Sequence, residues 1–206
     1  MSRAQTAIRV WDWPTRVGHL LLILAFAGAW LSSEGERWRL LHVYCGYTLA
    51  GVIGFRLLWG VLGSRHARFA AFVRPPQAAL AYLGALLRGR PPHYSGHNPA
   101  GGLAILLLLA LGLLTAASGH LSYESLLPEA LDEVHEACAE ALLAVVGLHL
   151  LGVAVGSLAH RENLVRAMLT GDKAGPPADA IPHSHPLWAA LLLAAVLAGW
   201  AYAALG

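Results

Sequence analysis

The stretch VHEACAEALLAVVGLHLLGVAVGSL, residues 134–158, decides how this chain is read. A helix needs about 20 apolar residues to cross the hydrocarbon core of a bilayer, and this run is long enough. Yet it holds two histidines, His135 and His149. A histidine inside a span is costly, turns to the bundle interior, and is a functional residue by default. At about 100° per residue, the 14 positions between the two fall about 40° short of four full turns and rise about 21 Å. Both imidazoles therefore face the same way from opposite leaflets.

Working outward, four more apolar runs of spanning length cover residues 17–33, 40–62, 100–118 and 187–205. Of the 206 residues, 57% are hydrophobic and only 13% charged, and the mean hydropathy is +0.55. That leaves too little polar surface for a globule, so a soluble enzyme and a disordered chain are both excluded. The predicted fold class is all-α integral membrane. Five crossings put the termini on opposite faces. The first run has a basic leader and an Ala-Gly-Ala triplet at 27–29, the marks of a cleavable signal, but we expect it to be retained as a span. Eleven basic residues (Arg3, Arg9, Arg16, Arg65, Arg68, Arg74, Arg88, Arg90, Arg161, Arg166 and Lys173) flank the runs on one side, against Arg37 and Arg39 on the other. The positive-inside rule then predicts a cytoplasmic N-terminus and an outward C-terminus. Two cysteines cannot make a disulfide framework, and there is no CxxCH for covalent haem attachment.

Between the second and third runs, Pro75-Pro76 precedes QAALAYLGALL at 77–87, which reads as a short helix on the inner leaflet. Asn98 as N-cap with Pro99 at the first helical position marks the start of the third span. Residues 171–186, rich in Pro, Gly and Asp, read as a linker to the last helix. No internal repeat is evident.

Four histidines fall within the spans. His19 opens the first on the cytoplasmic side, the depth His149 reaches on the fourth. His42 opens the second on the outer side, where His135 opens the fourth. Two stacked two-histidine sites result. A zinc site calls for four protein ligands, whereas two axial imidazoles suit a porphyrin iron whose macrocycle fills the other positions. Haem b is therefore the expected cofactor, with iron the only redox metal. Arg56, 14 residues after His42, reaches the inner depth on nearly the same face, either to meet a haem propionate or to snorkel to the interface. Arg16, one turn before His19, is placed to serve the same porphyrin. Cys45 and Cys138 each follow an outer histidine by three residues and read as small buried neighbours. His120 is a reserve ligand or a surface contact. His66, His93, His160, His183 and His185 read as loop or interface residues.

The segments VWDWPTRVGH (10–19), FRLLWGVLGSRHARF (55–69), GHNPAGG (96–102) and HRENLVRAMLTGDK (160–173), with the four histidines, resemble the bacterial cytochrome b561-like and hydrogenase-type cytochrome b subunits over residues 8–173. The resemblance implies a four-helix bundle holding two haems b on His19, His42, His135 and His149, in the bacterial inner membrane, exchanging electrons with quinone. On this reading residues 1–173 form the dihaem domain, 174–186 a linker, and 187–206 a fifth transmembrane helix. That fifth helix departs from the simplest members of the family and suits a contact with a further membrane subunit.

Within such a family the partner is not fixed by the fold. One implied role is an electron-transfer subunit of a quinone-linked oxidoreductase, facing a periplasmic redox protein such as a c-type cytochrome; another is a superoxide oxidase. The outer loop before the fourth span carries Glu124, Glu129, Asp132 and Glu133, with Glu136 and Glu140 following, and no basic residue. Gathering superoxide calls for positive potential, so the electron-transfer subunit is expected. A histidine-lined proton or metal transporter is the rival from another class. Lipid is the surrounding medium, and no nucleic-acid partner is expected.

Overall fold

The computed structural model describes residues 6–124 and 130–205. In chain order the elements are β1 (Thr6–Arg9), α1 (Trp13–Leu31), a 3-10 turn (Glu36–Trp38), α2 (Arg39–Leu62), α3 (Phe69–Phe72), α4 (Pro76–Leu87), α5 (Pro99–Tyr123), α6 (Ala130–His160), α7 (Leu164–Thr170), β2 (Asp172–Gly175), a second 3-10 turn (Pro177–Asp179) and α8 (Pro186–Leu205). Five helices, α1, α2, α5, α6 and α8, are long and apolar enough to cross a membrane. The protein is a multi-pass, all-α membrane protein, as the five runs predict, with helices reaching a few residues beyond the runs at most ends.

Local chemistry sets the helix starts. The Asp12 carboxylate caps α1 by accepting from the Thr15 amide at 2.8 Å, with Pro14 in the first turn. Asn98 caps α5 in the predicted way, its side-chain oxygen accepting from the Gly101 amide at 2.8 Å with Pro99 following. The surface helix expected over 77–87 is α4. Residues 125–129, Glu129 among them, lie outside the described residues, as does Arg3.

Packing follows two pairs. α1 lies along α2, and α5 along α6, while α2 reaches across to α5 and α4 leans on α5. The bridging contact holds the apolar core of Ala25, Leu49, Ile53 and Leu109. Gly112 permits it: a Cβ there would stand 2.6 Å from Ile53 Cδ1, inside any real contact. α8 packs on α1 and α2, where Leu192 lies over Gly18 and the Trp200 indole N–H donates to Thr48 Oγ1 at 2.9 Å. The face of α8 that meets the bundle is thus satisfied within this chain. On α6 the buried residues are Leu142 and Gly156.

One feature has no counterpart in the sequence reading. β1 pairs antiparallel with β2, Thr6 opposite Gly175 and Arg9 opposite Asp172. The Arg9 guanidinium meets the Asp172 carboxylate at 2.7 Å. Ile8, Val10 and Trp11 are buried against Met168 beneath this ribbon. The segment read as a linker docks beside it: Ile181 N–H donates to Arg9 O at 2.9 Å, and Asp179 meets Arg65 at 3.2 Å and the Ser95 hydroxyl at 2.6 Å. Pro and Gly there shape a fitted strap rather than a free tether. We call this the ribbon end of the bundle and the other the far end.

Candidate functional site

The four span histidines come together in two pairs, as their depths predict. At the ribbon end, His19 of α1 and His149 of α6 face each other with ring centroids 6.4 Å apart. At the far end, His42 of α2 and His135 of α6 stand 5.9 Å apart. A metal atom bonded at about 2 Å to one nitrogen of each imidazole would need ring centroids roughly 6 Å apart. Both separations fit one metal atom between the rings.

Hydrogen bonding supports the same reading at the far end. His42 Nδ1–H donates to Ala29 O at 2.8 Å and His135 Nδ1–H to Thr115 O at 2.9 Å. Each bond fixes the tautomer and leaves Nε2 with its lone pair, the arrangement a ligating histidine needs. Among the described residues the ribbon-end pair has no such bond. A Cβ on Gly46, one turn after His42, would meet nothing within 4 Å, so there is open space beside that histidine.

Among the described residues no three His, Cys, Asp or Glu side chains cluster closely enough to hold a bare ion. Two imidazoles at each end would suit a metal whose other positions are filled by a porphyrin.

The remaining predicted residues separate. Arg56 donates from Nη2 to Ala67 O at 2.9 Å, and its guanidinium lies 5.2 Å from the Phe69 centroid and 5.9 Å from that of Phe72. Its Nη1 is buried with no partner. It therefore turns into protein rather than out to the interface. Arg16 instead lies over the Trp13 ring at 4.1 Å and donates to Met168 O and Leu169 O, tying α1 to α7. Its guanidinium is already occupied. His120 bonds the Tyr47 hydroxyl at 2.9 Å, Cys45 is buried, and both cysteines are free thiols. His183 and His185 lie 6.1 Å apart, with His185 also edge-on to Trp59.

Three features were not legible beforehand. The acceptors on Ala29 and Thr115 are main-chain groups with no side-chain signature. Gly119 lies directly under the His135 ring, where a Cβ would stand 2.7 Å from Cε1. His97, which precedes the Asn98 cap of α5, has a buried Nδ1 with no partner among the described residues. Burial first, then Arg56, Lys173, His66 and His149, push its pKa down to about 3, so it is neutral at pH 7.

At the far end Asp132, Glu133, Glu136 and Glu140 are exposed. Of the two cations there, Arg39 meets Glu36 at 3.7 Å and lies over Tyr123, and Arg37 lies over Trp38. Their charge is partly spent locally, and the far end is net acidic.

Residues 10–171 match the family model described as prokaryotic cytochrome b561. The chain is 32% identical over 139 residues to the probable Ni/Fe-hydrogenase B-type cytochrome subunit of Azotobacter vinelandii, covering 53% of this chain and 56% of that protein. It is equally similar to the protein of the same name from Azotobacter chroococcum mcd 1, over the same shares. The chain spans about half the length of the curated relatives it matches. No solved structure matches it.

Proposed function

This chain belongs to the prokaryotic cytochrome b561 family, and we propose that it carries electrons across the bacterial inner membrane as the dihaem cytochrome b subunit of a larger redox complex. The observation that carries the reading is the pair of facing histidines at each end of one bundle, 6.4 and 5.9 Å apart. In this reading His19 and His149 hold one haem b and His42 and His135 the other. A porphyrin iron held by two imidazoles supplies reversible one-electron chemistry. The chain's own residues do the rest. Ala29 O and Thr115 O fix the far-end imidazoles in the ligating tautomer.

The positive-inside count supports a cytoplasmic ribbon end and a periplasmic far end. Quinone is the proposed partner in the membrane. At the far end the acidic rim favours a periplasmic redox protein with a basic docking face, a c-type cytochrome domain being the leading form.

The test is spectroscopic. Purified protein should show a reducible haem b spectrum with two irons per chain. His149→Ala should remove one haem and leave the other bound, and His135→Ala should remove the opposite one. A colourless, folded preparation would sink the reading, and loss of both haems from either single variant would sink the pairing.

A further inference from the structure

Among the described residues, four polar side-chain atoms are buried without a hydrogen-bond partner: Thr15 Oγ1, Arg56 Nη1, Ser64 Oγ and His97 Nδ1. Two of these belong to side chains that converge on one ring. The Arg56 guanidinium lies 5.9 Å from the Phe72 centroid, and the His97 ring 4.7 Å from it. The other side of His97 rests on Trp11 at 4.6 Å. Trp11 immediately precedes the Asp12 cap of α1, about 10 Å of helix rise before His19, and His149 is among the groups that bear on His97, so the two donors lie at the ribbon end, on the side of that histidine pair away from the bundle centre.

No free carboxylate answers them. The nearby Asp12 uses one oxygen for the Thr15 amide and the other for the Trp59 indole N–H at 2.9 Å. The charged or titratable groups that bear on His97 are Arg56, Lys173, His66 and His149, all basic. Asp12 acts on Arg56 only as a longer-range counter-charge, so Nη1 is left without a directly bonded anion, which is costly out of water, and an imidazole nitrogen left unpaired beside it adds to that cost. An oxyanion between them would satisfy both.

We propose that Arg56 and His97 together form a carboxylate cradle that receives a propionate of the haem held by His19 and His149, with His97 as a positioning residue donating through Nδ1–H. The proposal rests on the dihaem reading above. A carboxylate is the chemistry both groups recognise, and it has two possible sources. His97 also lines a cavity of about 330 Å³ together with His66, Arg65, Arg74 and Asp179, whose carboxylate is taken by Arg65 and Ser95, so a soluble oxyanion is the alternative source.

The test uses the purified holoprotein in detergent, with midpoint potentials resolved by redox titration and the ribbon-end haem identified by its absence in His149→Ala. Removing a donor leaves the propionate charge less compensated and disfavours the reduced, more negative haem. Both Arg56→Gln and His97→Phe should therefore lower the ribbon-end potential and shift its propionate-bending Raman band. The far-end haem should not move. His97→Asn, which keeps an N–H donor, should recover much of the shift, and this variant also guards against a packing defect in His97→Phe. Inorganic phosphate, added from zero to saturating levels, should leave the wild-type potential unchanged. A potential that follows phosphate would overturn the proposal in favour of a solvent anion. So would two bound haems whose potentials and Raman bands ignore the His97 substitutions. A wild-type preparation without two haems would instead overturn the dihaem reading itself.

Discussion

Replacing Gly119 by alanine should release the far-end haem while leaving the helices intact. The added methyl would stand 2.7 Å from His135 Cε1 and 2.8 Å from Nδ1, and ordinary contact begins near 3.4 Å, so the ring must retreat by about 0.7 Å. Its retreat is away from α5, the helix that also supplies the Thr115 carbonyl. The 2.9 Å bond to that oxygen would then stretch to about 3.6 Å, beyond useful length. Ligating groups tolerate misplacement of about 0.5 Å, and loss of such a supporting bond costs about 10–100-fold in affinity for the bound metal. Against this, alanine stabilises a helix interior by about 0.5–1 kcal/mol over glycine, so global stability should barely change. Haem stoichiometry and redox titration would show the far-end haem depleted or shifted in potential with the ribbon-end haem unchanged. Gly199→Ala, where a Cβ meets nothing within 4 Å, is the matched control and should change neither. Full retention of the far-end haem at its wild-type potential in Gly119→Ala would refute the packing argument.

Asp12→Ala removes a helix cap and strands the Trp59 N–H, so thermal unfolding should report a loss of about 2–4 kcal/mol. Lys173→Met leaves Glu162, 3.3 Å away and mostly buried, without its main counter-charge; a loss of about 2–3 kcal/mol is expected, and adding Glu162→Leu should recover part of it. Trp200→Phe should cost only about 0.6 kcal/mol, and a double-mutant cycle with Thr48→Val should show the two are coupled. Stopped-flow reduction by a basic cytochrome should be faster than by an acidic one and should slow as salt is added; equal, salt-independent rates would refute the acidic docking face.

The sequence carried the spans and the histidine pairing because both depend on periodicity along single helices. Two histidines 14 residues apart on one helix fix two depths, and the other two need only open their helices at those depths. Asn98 and Pro99 were equally legible, since capping is a local rule. What stayed hidden depends on distant segments meeting. The partners of β1 are more than 160 residues along the chain, and four residues of TAIR show no alternation strong enough to announce a strand. The strap at 174–186 was read from its Pro and Gly content, which marks irregular backbone but does not say whether that backbone is docked. The roles of Gly119 and His97 needed coordinates, because each is defined by what lies across from it. Arg16 and Arg56 looked alike in sequence, and only their neighbours set them apart.

The ribbon also bears on how the protein is made. β1 precedes the first span and its partner strand follows the fourth, so β1 must wait unpaired while four helices enter the bilayer. Closing so long a loop is entropically unfavourable until those helices have already brought its ends together. The ribbon is therefore a late clasp rather than a nucleus. Because its strands lie on one side of the membrane, it can close only when an even number of crossings separates them. A chain that inserts α1 backwards or skips a span has no clasp to close, and its exposed Ile8, Val10 and Trp11 would mark it for quality control.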